Sequence, residues 1–142
     1  GRIDAEARVE GVEGSGHVVE GRDAPGVGLR EGQLYARSFG LPLAAGEGRD
    51  AFRTAVVERW LPALDAHRPQ LVFISAGFDA HREDPLAGLK LTEADYAWVT
   101  RELVAVANRH GRGRIVSTLE GGYALSALGR SVAEHIRELL AA

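Results

Sequence analysis

Two short segments hold the side chains whose types and spacing could do chemistry. The first is Ser75-Ala76-Gly77-Phe78-Asp79-Ala80-His81, which ends the apolar run Leu71-Val72-Phe73-Ile74. A carboxylate just past a buried strand can bind a cation or position a base; Asp is equally at home in a loop, where it caps a turn. His81 lies two residues on. Alternate side chains of an extended backbone point the same way, so Asp79 and His81 have the spacing of a metal pair. A catalytic metal site generally takes three protein ligands and an open position, so His81 is expected to face solvent or to stand behind a ligand. Asp84-Pro85 reads as the start of a turn.

The second segment is Glu120-Gly121-Gly122-Tyr123. Two glycines let the backbone pass close to a ligand or adopt positive φ. The phenol of Tyr123 can donate to a developing oxyanion or pack as an amphipathic core residue, and spacing leaves both readings open. His67 and His110 fall near helix C-termini, His135 beside an apolar stripe, and His17 has no partner at ligand spacing. There is no phosphate-binding loop and no G-x-S-x-G elbow, and without Cys there is no thiol nucleophile.

The elements that must position these segments are set by periodicity. Phe52, Val56 and Trp60 recur at helical intervals, with Asp50 as the expected N-cap and Pro62 expected to disturb the helix. Arg68-Pro69 ends it, and Leu71 to Ser75 reads as a buried strand. Thr92-Glu93-Ala94-Asp95 opens a second helix, which Gly111 is expected to terminate. Arg114 to Leu119 reads as another buried strand, and Leu125 to Leu139 as a final amphipathic helix. This alternation predicts an α/β fold, a parallel sheet flanked by helices. In such sheets ligands bind beyond the carboxyl ends of the strands, which are the two segments above.

Composition narrows the class. The 142 residues suit about one domain, and a net charge of -3 argues against a phosphate-driven nucleic-acid binder. With no Cys, any metal must use carboxylate or imidazole ligands. No apolar run is long enough to span a bilayer, so a soluble, cytoplasmic protein is expected. There is no Met, and Gly1 is expected to lie downstream of the true start. Eleven of the 18 Gly fall in residues 1 to 48, and the stretch from Gly11 to Gly32 reads as loop. Val18-Val19 and Gln33 to Phe39 could be short strands.

Taken together, SAGFDAHREDPLAGLKLT (Ser75 to Thr92) and LEGGYALSAL (Leu119 to Leu128) resemble the histone deacetylase family, in particular its class II and bacterial branch with the acetylpolyamine amidohydrolases. Gly40 to Gly48 is similar to the family's Pro-Leu-Pro-x-Gly-x-Gly segment. The resemblance covers residues 38 to 142 as the C-terminal part of a catalytic domain and leaves 1 to 37 without a clear match. It implies an arginase–deacetylase-type fold and a catalytic zinc. It gives Asp79 the role of a zinc ligand and Tyr123 that of the donor to the substrate carbonyl. Leu86, Gly121 and Gly122 would line the acyl-lysine channel. The substrate would be acetylated lysine or an acetylated polyamine.

The family's His-His pair does not occur, nor does its Asp-x-His ligand segment upstream of Gly40, where the family carries both; His17 stands alone, and neither Asp4 nor Asp23 has His at the needed spacing. Ala124 stands where the family has Asn. The chain is therefore expected to be inactive alone, as part of an enzyme, or else to be a catalytically dead binding or scaffold protein. A metallohydrolase of the arginase branch is disfavoured by LEGGY. An exposed sheet edge would further predict aggregation or pairing with a partner, including an oligomer.

Overall fold

The computed structural model describes residues 8–10, 38–39 and 43–141. The strand expected at Val18-Val19, the loop from Gly11 to Gly32, His17, Asp4 and Asp23 lie outside the described residues, as do the first three residues of the segment Gly40 to Gly48.

The elements run β1 (Arg8–Glu10), β2 (Ser38–Phe39), α1 (Arg49–Ala55), a π-helical turn (Val56–Trp60), α2 (Leu61–His67), β3 (Val72–Gly77), α3 (Glu93–Gly111), β4 (Ile115–Gly121) and α4 (Leu125–Leu140). The sheet order is β2-β1-β3-β4. β3 and β4 are parallel and joined through α3, as the alternation predicts, while β1 runs antiparallel to β3 and to β2.

Pro62 has the effect its chemistry demands. It cannot donate to the carbonyl of Glu58, and the preceding turn widens to a π-helix in which Leu61 N–H reaches back five residues to Val56 O. The helix then continues through α2. Gly48, not Asp50, is the N-cap of α1, and Asp50 falls in its first turn. Gly111 is the last residue of α3 rather than the residue beyond it; Arg112 takes the left-handed cap. Gly111 is small for a packing reason, since a Cβ there would come 3.0 Å from the Gln70 carbonyl oxygen.

The core lies on one face of β3. Val72, Ile74 and Ala76 are buried there against the stripe Phe52, Val56, Trp60 and Leu64 and against Leu103, Val106 and Ala107 of α3. The other face of β3, with Phe73 and Ser75, is only half-buried, so the strand alternates instead of being buried throughout. β4 departs further from the expected buried strand. Among the described residues it pairs with β3 alone, and Val116 and Leu119 are 48% and 60% exposed.

Two buried polar groups tie the helices together. Asp95, fully buried in the first turn of α3, accepts from Thr92 N (3.0 Å) and Thr92 Oγ1 (2.8 Å) through one oxygen. Its other oxygen accepts from Arg49 (2.9 Å) and Arg53 (3.0 Å) on α1. Burial pulls this carboxyl up, but the bonds from Thr92 and Arg49 outweigh it and hold Asp95 below its ordinary value.

His135 of α4 is buried between α3 and β4. Thr100 Oγ1 donates to Tyr96 O (2.7 Å) and so must accept from His135 Nδ1 (2.7 Å). The proton therefore sits on Nδ1, and Nε2 accepts from Ser117 Oγ at 2.8 Å. Burial lowers the pKa of this imidazole below its ordinary 6.5.

Asp95→Ala should cost about 1–3 kcal/mol in urea denaturation. The loss stays below that of a fully buried ion pair because the Arg49 and Arg53 side chains are 50% and 33% exposed and can rehydrate. For His135, the unfolded chain takes up a proton near 6.5 that the folded protein resists. The stability due to the neutral ring is therefore complete above that pH and is lost as pH falls through the lower folded pKa. Denaturation midpoints at about pH 7.5 and about pH 5.5 should differ less in His135→Asn than in the unmodified chain.

Candidate active site

The carboxyl ends of β3 and β4 meet at a bulge. Ala76 pairs with Leu119 and Gly77 with Gly121, which leaves Glu120 as the extra residue of β4. Phe78 N–H donates to Gly121 O at 2.8 Å and carries the pairing one residue past the strand. Asp79 comes next, with its carboxylate between two glycines. A Cβ on Gly77 would lie 3.0 Å from Asp79 Oδ1, and one on Gly121 would lie 3.3 Å from Oδ1 and 3.6 Å from Oδ2. Side chains at either position would crowd the carboxylate.

Asp79 accepts no hydrogen bond from any described residue, whereas Glu120 receives the Ser75 hydroxyl. The peptide ahead of Asp79 is anchored by Tyr96, whose OH donates to Phe78 O at 3.0 Å. Burial, then the charges of Asp79 and Asp84, push the Tyr96 phenol well above its ordinary value, so it stays a neutral donor.

His81 does not face solvent. It is 1% exposed, and its Nδ1 accepts from Glu83 N at 3.1 Å. The proton of the neutral ring is then on Nε2, which lies 3.4 Å from Glu93 Oε1 without forming a hydrogen bond. His81, Glu83 and Glu93 bring ligand-type atoms within 4.8 Å of one another. Both carboxylates already share a cation, because Arg130 pairs with Glu93 (2.5 Å) and Glu83 (2.8 Å). The Arg130 bond holds Glu93 down to about 2. A ring whose Nδ1 is an acceptor has no Nε2 lone pair to give a metal.

Asp79 is of another kind. A half-buried carboxylate with no donor among the described residues, at the end of a strand and cleared by glycines, fits one position of a zinc site. Among the described residues, no three-ligand group includes it.

Tyr123 lies two residues beyond Gly121 and is 58% exposed, outside the core. Leu86 is also exposed, at 53%. Both are placed by Asp84, which the sequence suggests only as a turn residue. Its Oδ2 accepts from Tyr123 N (2.7 Å) and Ala124 N (3.0 Å), and its Oδ1 from Leu86 N (3.0 Å). Burial raises the Asp84 carboxyl, but the amides of Tyr123, Leu86 and Ala124 more than offset this and hold it below its ordinary value. No local signal marks this role, since the acceptor and the amide of Tyr123 are 39 residues apart.

The model of the histone deacetylase domain matches residues 15–139. Type-2 histone deacetylase 2 of Dictyostelium discoideum is 37% identical over 123 residues, which is 84% of this chain and 7% of that protein. The histone deacetylase-like amidohydrolase of Pseudomonas aeruginosa is 42% identical over 94 residues, 65% of this chain and 25% of that protein. The crystal structure of the HDA15 HD domain superposes with a TM-score of 0.63 at 36% identity, over 69% of this chain and 27% of that one. The chain thus spans about a quarter or less of the proteins it matches here.

Gly122 shows how tightly the turn before Tyr123 is packed. Its φ is +131, and a Cβ would lie 2.8 Å from Leu128 Cδ1 and 3.2 Å from Phe78 Cβ. Gly122→Ala should destabilise the chain by about 1–3 kcal/mol, read as a lower Tm in thermal unfolding.

Proposed function

This chain belongs to the histone deacetylase family, and on that basis we propose that it is the C-terminal part of a cytoplasmic, zinc-dependent deacetylase. The intact enzyme hydrolyses an N-acetyl amide, on acetylated lysine or an acetylated polyamine. The observation that carries this reading is the Asp79 carboxylate, free of donors among the described residues and cleared by Gly77 and Gly121, with Tyr123 exposed on the neighbouring turn after β4. Support also comes from the α/β fold shared with solved deacetylase domains, since Asp79 and Tyr123 follow the carboxyl ends of β3 and β4, the side on which parallel sheets generally bind ligands.

In this reading Asp79 is one of three zinc ligands. Zinc bound there supplies polarisation of the amide carbonyl and acidification of a bound water. Tyr123 directs its hydroxyl at the carbonyl oxygen, where negative charge develops. Leu86 lines the channel for the acyl-bearing chain, and Gly121 and Gly122 let the backbone pass close to it. The acid–base pair and the remaining ligands come from parts of the intact enzyme outside these 142 residues. A second reading, a catalytically dead family member acting as a binding module, draws on the absence of any adjacent His pair in the sequence.

Zinc analysis and an acetyl-lysine peptide assay separate these readings. The 142-residue chain should hold zinc well below one per chain and should not hydrolyse the peptide. The full-length protein carrying it should do both, and Tyr123→Phe in that protein should lower kcat by about 10²–10³. A chain that alone bound zinc tightly and turned over would refute the incomplete site. A full-length protein with neither zinc nor activity would overturn the deacetylase reading and support the binding module.

A further inference from the structure

We infer that Asp84 is the positioning residue for Tyr123, and that its carboxylate makes the Tyr123 turn and the Leu86 loop move as one unit. The inference rests on the catalytic role proposed for Tyr123, but its structural half stands without it.

The geometry is unusual for a turn aspartate. Asp84 is 6% exposed, and both of its oxygens are used. One carries the amides of Tyr123 and Ala124, directly ahead of α4, and the other carries Leu86 N–H. Ala124 has no side-chain cap to offer the helix, so the anionic group at this N-terminus comes from a loop 40 residues away. The loop has few other ties of its own. Asp84 N donates to His81 O (2.8 Å), and the Gly88 carbonyl accepts from Gly46 N (2.8 Å). Between those points, Leu86 is held through Asp84.

The Tyr123 side chain is more than half exposed, and nothing among the described residues grips its ring or hydroxyl. Its position is therefore set by its backbone. Gly122 supplies the turn, and Asp84 takes up the next amide, that of Tyr123 itself. A donor to an oxyanion has to be preorganised, and small displacements are expensive in rate. Asn at this position keeps the shape but replaces one acceptor oxygen with an NH₂. That group would face an N–H donor, of either Leu86 or the Tyr123–Ala124 pair.

Two measurements test this. Hydrogen exchange on the 142-residue chain needs no catalysis. In the unmodified chain the amides of Leu86, Tyr123 and Ala124 should exchange at least about tenfold slower than the intrinsic peptide rate. In Asp84→Asn that protection should fall, while the β3–β4 ladder keeps its own. Exchange of these amides at the intrinsic rate in the unmodified chain overturns the inference, even if the variant fails to fold.

In the full-length enzyme, Asp84→Asn should lower kcat by about 10–10² with little change in KM. The same change in a Tyr123→Phe background should then cost little more, because the residue acts through the phenol. Equal losses in both backgrounds overturn the positioning role. If Tyr123→Phe itself leaves activity intact, the proposed function fails, while the exchange result still reports on the clamp.

Discussion

One buried carboxylate joins the two segments that matter. Asp84 reaches from the loop after β3 to the turn after β4 and satisfies three backbone amides. Parallel strands end in loops that have no pairing of their own, so something beyond the ladder must fix how those loops face each other. Here the bulge at Glu120 and the Phe78–Gly121 hydrogen bond bring the strand ends into register, and the Asp84 contacts hold the two loops beyond them. Without them, Asp79 would still be placed by its strand, but Tyr123 and Leu86 would each hang on separate, exposed stretches of chain.

Several surrounding polar groups are also paired within the protein. Asp95 carries two arginines and a threonine, His135 is held between two hydroxyls, and Arg130 answers both Glu83 and Glu93 beside His81. Each of these carboxylates has at least one partner within the protein. Among the described residues Asp79 is the exception at the strand ends, and that contrast sets it apart from the structural carboxylates around it. The His81 cluster has the composition of a metal site, yet the hydrogen-bonding state of its imidazole and the presence of Arg130 make it a charge network instead.

Much of this is legible in the chain itself. The stripe from Phe52 to Leu64, the disturbance at Pro62, the helix opening at Thr92 and the two strands flanking α3 are local patterns, and each forms where its period and breakers put it. β4 differs from its expected burial because an apolar run says nothing of how many neighbours a strand has. With β3 alone beside it among the described residues, Val116 and Leu119 stay exposed. His81 differs for a related reason, since its burial depends on the loop folding back so that Leu91 N–H meets Ala80 O at 3.1 Å.

By itself, then, the sequence determined the order of helices and strands and the positions of Asp79, Gly121, Gly122 and Tyr123 at the strand ends, because periodicity, capping and glycine placement act within a few residues. The tertiary structure alone decided which carboxylates have partners among the described residues, how Asp95 gathers Arg49 and Arg53, and that Asp84 meets the amide of Tyr123. Those outcomes depend on groups some 40 residues apart meeting in three dimensions, and a hydrogen bond across that distance leaves no periodic trace in the chain.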